Sequence, residues 1–134
     1  MIKTKRSNLW AKAKFKNSNS VGIHLIADFW FGKKIEKPEE IKKILIEAAK
    51  KAKNTPLKVS IHKFNPHGIT GVILLAESHI ALHAWPEFDY LAIDIFTCGK
   101  RAFPNRALEY LKKVFKPKRV GIKKIKRGVI HSAS

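Results

Sequence analysis

The sequence has a single cysteine, Cys98. That excludes an intrachain disulfide and the cysteine pairs that structural zinc and iron–sulfur sites favour. A reducing compartment is the matching expectation. No apolar run approaches the roughly 20 residues of a membrane span. The start of the chain is basic, but no apolar core follows it, so a secretory signal is not expected. Neither a fixed-period repeat nor a Gly/Ser-rich linker divides the 134 residues, which is the length of one domain. Cytoplasm is the expected location.

Acids are the other scarcity: 10 Asp and Glu stand against 28 Lys and Arg, a formal net charge of +18. Such basicity raises nucleic acid or an anionic membrane as a partner. The distribution argues otherwise. Residues 1–20 hold six basic side chains and no acid, and residues 100–134 hold twelve against Glu109 alone. Between them, residues 57–99 carry only Lys58 and Lys63 against Glu77, Glu87, Asp89 and Asp94. The middle therefore suits a cationic small molecule better than a phosphate. Nucleic acid is expected to bind only non-specifically, through phosphate neutralisation at the charged ends. A nucleic-acid-binding module stays open as a third reading of the whole chain.

The apolar content of 45% is enough for a packed core. A basic arm over residues 1–20 is expected to precede a domain over 21–134. Strand signals run from Val21 to about Phe31. Pro38 opens a helix with Glu39 and Glu40 at the positive end of its dipole. Ile41, Ile44, Leu45, Ala48, Ala49 and Ala52 form its apolar face. Strands follow near 58–64, 70–76, 79–85 and 90–97. Pro104 opens a second helix, with Ala107, Leu108, Leu111, Val114 and Phe115 inward. A last strand covers about 119–125, before a loosely held tail. This order predicts an α+β fold: a two-layer sandwich, mostly antiparallel, with both helices on one sheet face.

Alternation along two strands sorts their side chains by face. Leu91, Ile93, Ile95 and Thr97 share one side, as do Ile80 and Leu82. His79, Ala81, His83 and Trp85 take the other side, with Tyr90, Asp94, Phe96 and Cys98. The aliphatic side belongs against the helices. The opposite side carries too many aromatics to stand bare, so a pocket or a second subunit should cover it.

Ala76-Glu77-Ser78-His79 reads as a tight polar turn between apolar strands. A turn serine is ordinarily a hydrogen-bonding residue, a lone histidine structural, and a lone cysteine a small core residue. Zinc shared by His79 and His83 fails on distance. Four residues of strand span about 13 Å, too far for two imidazoles each about 2 Å from one ion.

The wider context gives the turn another meaning. The run Glu77-Ser78-His79-Ile80-Ala81-Leu82-His83-Ala84-Trp85-Pro86-Glu87-Phe88-Asp89-Tyr90, on to Phe96-Thr97-Cys98-Gly99, closely resembles the core motif of the short prokaryotic S-adenosylmethionine decarboxylases. Phe64-x-Pro66-x-Gly68-Ile69-Thr70-Gly71-Val72 resembles the segment that precedes it in that family. Gly22-Ile23-His24-Leu25-Ile26-Ala27-Asp28-Phe29 resembles its first strand. The resemblance covers roughly 21–128.

That resemblance implies a self-cleaving proenzyme. Ser78 attacks the Glu77 carbonyl, the chain breaks between Glu77 and Ser78, and Ser78 becomes a pyruvoyl group that forms a Schiff base with the substrate amine. The group replaces pyridoxal phosphate as electron sink, and no metal is needed. His83 is implied as the processing base, with Thr70 assisting, and Cys98 as the proton donor in catalysis. Glu87 is implied to bind ribose hydroxyls. Phe64 is either a stacking partner for adenine or a core residue. A homodimer with shared sites is implied as well. The product would supply aminopropyl groups for spermidine synthesis.

Three positions depart from the family pattern: Ala84 for threonine, Asp89 for glycine and Leu91 for alanine. The family has a branch that decarboxylates arginine, and an added carboxylate such as Asp89 could pair with a guanidinium. Arginine or ornithine is therefore the alternative substrate. Thr70, His83 and Cys98 are expected to converge on Ser78.

Overall fold

The computed structural model describes residues 20–99 and 102–131. The expected basic arm lies outside them, apart from Ser20. Six strands and two helices follow the expected order: β1 (Ser20–Trp30), α1 (Pro38–Lys51), β2 (Pro56–Lys63), β3 (Ile69–Leu75), β4 (Ser78–Trp85), β5 (Tyr90–Cys98), α2 (Pro104–Phe115) and β6 (Arg119–Val129). A single 3-10 turn, Pro86–Phe88, joins β4 to β5. The strands form one sheet in the order β2-β3-β4-β5-β1-β6, and each neighbouring pair is antiparallel.

Both helices begin at the prolines that the sequence points to. A proline in the first turn loses no hydrogen bond there, and its fixed φ suits the helix. Lys50 and Lys51 end α1, and Lys112 and Lys113 end α2, each pair at the negative end of its helix dipole. The buried stripes Ile41, Leu45, Ala48 and Ala107, Leu108, Leu111 pack on Leu25, Phe29, Ile73, Ile80, Leu82, Ile93 and Ile95. These strand residues all lie on one sheet face. Val114, expected on the inner stripe, is only half-buried.

The two glycines of the segment before the Ser78 turn have separate physical reasons. Gly68 holds φ +103°, a conformation that suits a residue without Cβ. A Cβ on Gly71 would stand 3.0 Å from the Leu45 and Ile61 side chains and 3.1 Å from Ile41, so those side chains of α1 and β2 would have to give way.

The main departure from the sequence reading is at the C-terminal end. The last strand runs on to Val129, past the expected stop near Ile125, because β1 keeps pairing with it as far as Ser20 opposite Val129. Its residues beyond 120 are exposed, and its many cations hide the alternation that marks a strand. Those cations also discourage another chain from adding to this edge. Among the described residues, no helix is long and apolar enough to cross a membrane.

Candidate functional site

The residues singled out in the sequence fall at the two ends of β4. The first end is the turn before Ser78. Thr55 clamps it with three hydrogen bonds. Its carbonyl accepts from the Ala76 N–H at 3.0 Å, its N–H donates to Glu77 Oε1 at 2.8 Å, and its hydroxyl donates to Glu77 Oε2 at 3.1 Å.

With its side chain held, Glu77 aims its main-chain carbonyl at the end of β5. There it accepts from the Cys98 N–H at 3.1 Å and from the Cys98 thiol at 3.0 Å. Two donors on one carbonyl oxygen are the arrangement that stabilises negative charge as a nucleophile adds to the carbon. The next residue, Ser78, has φ +149°, outside the regions open to L-residues without strain. Such outliers persist where the surrounding structure enforces them and cluster at reactive sites. The bond after Glu77 is thus polarised on one side and strained on the other.

His79 Nδ1 stands 3.5 Å from Ser78 Oγ. Its pKa is lowered, chiefly by burial and further by His24 and Arg127, with Asp94 opposing. His24 is bonded to Asp94, Nε2 to Oδ1, at 2.9 Å. Parity grouped His79 and Asp94 on one face but assigned neither a role. His24 joins them through the β1–β5 register, in which it lies opposite Phe96.

The other end of β4 gathers Thr70, His83, Glu87 and Phe64. Thr70 and His83 are cross-strand partners, and Thr70 Oγ1 shares a hydrogen bond with His83 Nδ1 at 3.1 Å. Glu87 is exposed in the 3-10 turn that follows. Phe64 is 47% exposed, with its ring edge-on to His62 at 4.5 Å. That exposure overturns the reading of Phe64 as a core residue.

Cys98 joins Ser78 as expected, through the Glu77 carbonyl, but Thr70 and His83 do not within one protomer. Ser78 and His83 are five residues apart along β4, roughly 16 Å at the usual rise. Both ends share the sheet face opposite the two helices, where Trp85 stacks on Tyr90 and Tyr90 on Trp30. On that face Leu74 is 48% exposed.

The three departures from the family motif have local explanations. Ala84 and Leu91 are register partners on the helix side, so a small residue faces a large one. Asp89 caps the 3-10 turn at φ +53°, a left-handed position that favours glycine and tolerates aspartate. Its carboxylate pairs with Lys34 at 2.9 Å. Among the described residues, no three His, Cys, Asp or Glu side chains are grouped to hold a metal ion.

A family model described as S-adenosylmethionine decarboxylase matches residues 23–128. The S-adenosylmethionine decarboxylase proenzyme of Sulfurihydrogenibium sp. is 46% identical over 113 residues, 83% of this chain and 85% of that one. The proenzyme of the same name from Methanococcus maripaludis is 39% identical over 112 residues, 82% of this chain and 92% of its own. The crystal structure of the adenosylmethionine decarboxylase of Aquifex aeolicus superposes with a TM-score of 0.80 at 36% identity. It covers 87% of this chain and 98% of that one.

Proposed function

Because this chain belongs to the S-adenosylmethionine decarboxylase family, we propose that it builds a pyruvoyl group from Ser78 and uses it in sites shared between two protomers. It is an autoprocessed carboxy-lyase acting on S-adenosylmethionine, and its product donates aminopropyl groups for polyamine synthesis. The observation that carries the processing step is the Glu77 carbonyl, held by the Cys98 N–H and thiol beside a strained Ser78.

The residues around Ser78 fit the making of such a group. Ser78 Oγ adds to the Glu77 carbonyl carbon, and the Cys98 donors take up the charge that develops on oxygen. The carbon–nitrogen bond breaks, leaving Glu77 joined to Ser78 through an ester and the Ser78 nitrogen as a free amine. A base then removes the Ser78 α-proton and the ester oxygen leaves with Glu77 as a carboxylate. Water replaces the nitrogen, which departs as ammonia. The pyruvoyl group supplies an electrophilic ketone, the electron sink that loss of carbon dioxide requires. Cys98 Sγ, beside the bond that is cut, is the proton donor to the product carbon.

His83 is the base for the α-proton, and at roughly 16 Å along its own strand it serves the Ser78 of a second copy. Thr70 holds its ring through Nδ1. Glu87 and Phe64 stand at the same end, exposed to a substrate lying between the copies. The sheet face opposite the helices, which carries Trp30, Trp85, Tyr90 and Leu74 beside its histidines, is the surface through which the two copies pack.

The arginine alternative is not favoured. Asp89 has Lys34 as its partner, and the relatives compared above are named for S-adenosylmethionine. The nucleic-acid module accounts for the charge but not for the bonding around Glu77.

Intact mass of the purified protein should resolve into fragments 1–77 and 78–134, the second lacking its N-terminal amine. Incubation with S-adenosylmethionine, arginine and ornithine in parallel should give product from the first alone. An uncleaved chain that still decarboxylates S-adenosylmethionine would sink the proposal.

A further inference from the structure

Removal of the α-proton is the second act of processing. The first, attack by the Ser78 hydroxyl, needs a base of its own, and His83 stands five residues away on the same strand. We propose that His79 is the catalytic base of the first step, taking the Ser78 hydroxyl proton through Nδ1 and returning it to the departing amide nitrogen. This inference rests on the reading of Ser78 as the cleavage residue given above.

The geometry supplies the contact. Adjacent residues of a regular strand point to opposite faces, but Ser78 at φ +149° departs from regular strand geometry, and its Oγ lies 3.5 Å from His79 Nδ1. That is the outer limit of a hydrogen bond, and catalytic contacts of this kind tighten as the reaction proceeds. On the far side of the scissile carbonyl, the Cys98 donors wait for the charge. Base, nucleophile, electrophile and oxyanion donors thus come from three consecutive residues and the end of the neighbouring strand.

The step balances without a co-reactant. Nδ1 takes the proton as Oγ bonds to the Glu77 carbon. The imidazolium then gives that proton to the Ser78 nitrogen as the carbon–nitrogen bond opens. The histidine ends as it began, and the amide has become an ester.

The surroundings keep the ring ready to accept. On the open face His79 meets Phe96 on β5 at 5.9 Å between ring centroids and lies opposite Leu74 on β3. The charged groups facing it are His24 on β1, Asp94 on β5 and Arg127 on β6, with Lys58 on β2 beyond Leu74. Burial, His24 and Arg127 lower its pKa against the pull of Asp94. It is therefore neutral further into acid than an ordinary histidine.

The division of labour between His79 and His83 is what an experiment can read. Full-length His79→Ala, His79→Gln and His83→Ala chains are made by cell-free synthesis, and cleavage is followed by intact mass. His79→Ala and His79→Gln should slow cleavage about 100-fold, the usual scale for a general base. The uncut chain should resist neutral hydroxylamine, because it waits as an amide. His83→Ala should collect as an ester that hydroxylamine splits. Added imidazole should restore cleavage to folded His79→Ala but not to His79→Gln, whose side chain fills the space. Ester formation in the His83→Ala chain should keep its rate at pH 6.5, where an ordinary histidine is already half-protonated. Wild-type speed in both His79 variants, a hydroxylamine-sensitive stall in them, or a folded His79→Ala chain deaf to imidazole would each overturn the proposal. Failure of the wild-type chain to cut before Ser78 would instead remove the underlying reading, so the two failures are distinct.

Discussion

The two ends of β4 are built in opposite ways. At the Ser78 end the backbone is strained, and main-chain groups take part in the bonding, the Thr55 N–H holding the Glu77 carboxylate and Cys98 holding the Glu77 carbonyl. At the His83 end the strand is regular and side chains bond to each other, as Thr70 does to His83. In the function proposed above, one end prepares a bond for breaking and the other holds the base for the α-proton. Strand rise keeps them roughly 16 Å apart, so under that proposal neither end of one protomer reaches the other. On the proposed roles, eight residues of strand carry two half-sites, and a two-fold pair of chains would complete both at once.

The largest effect should come from separating the halves genetically. Ser78→Ala removes the attacking oxygen, so that chain is never cut. His83→Ala keeps Ser78 but lacks the base for the ester. When the two variants are co-expressed in equal amounts, a mixed pair has one complete site: Ser78 from one chain and His83 from the other. Random two-fold pairing puts about half of the His83→Ala chains in mixed pairs, and that share should be cut. Intact mass tells the chains apart. If no chain is cut in the mixture while each variant is folded and paired, the halves belong to one protomer after all.

Most of the fold was legible because period and punctuation agree. Pro38 and Pro104 mark both helices, and alternation placed Leu91, Ile93, Ile95 and Thr97 on the buried side of β5. β6 was cut short because Lys123, Lys124, Lys126 and Arg127 mask alternation, while its ladder to β1 depends on backbone rather than side chains. In the site, Ser78, His83 and Cys98 could be singled out through the motif they share with the family. The place of Cys98 beside Ser78 was expected and found, but the separation of His83 from Ser78 along β4 was not, since a motif is linear and does not say which copy supplies each part. The distance argument that forbids zinc between His79 and His83 applies equally to Ser78 and His83. His79 drew attention only as a metal ligand, because its contact with Ser78 depends on an irregular φ that alternation cannot foresee.

A smaller effect separates the two faces of the strand rather than its ends. Leu82 is fully buried against the helices, whereas Leu74 on the neighbouring strand is 48% exposed on the open face. Leu82→Ala should cost about 2–5 kcal/mol through lost transfer energy and an unfilled cavity. Leu74→Ala should change the stability of the protomer by less than about 0.5 kcal/mol, yet weaken pairing of the copies. Urea denaturation of the uncleaved Ser78→Ala background, together with light scattering across a dilution series, measures both quantities. Equal loss of folding stability in the two variants, with pairing untouched, would show that the open face is not the interface.

The smallest effect contrasts two threonines. Thr70 Oγ1 has His83 as its partner. Thr97, opposite Ser78 in the register, is buried on the helix side, and its hydroxyl has no hydrogen-bond partner among the described residues. A buried hydroxyl without a partner costs about 1–3 kcal/mol in desolvation, and an apolar group of the same shape removes that cost. Thr97→Val should therefore stabilise the chain by about 1 kcal/mol, a rise in Tm of roughly 3–5 °C at this size, and leave cleavage before Ser78 at its normal rate. Thr70→Val should do the reverse. It takes a hydrogen bond from His83, the proposed processing base, so it should slow cleavage about tenfold while Tm stays within a degree or two. Thermal melts in the Ser78→Ala background and cleavage time courses in the wild-type background separate the two readouts. A Thr97→Val chain that melts lower, or that cuts more slowly than Thr70→Val, would mean that the buried hydroxyl serves the Ser78 end rather than burdening it.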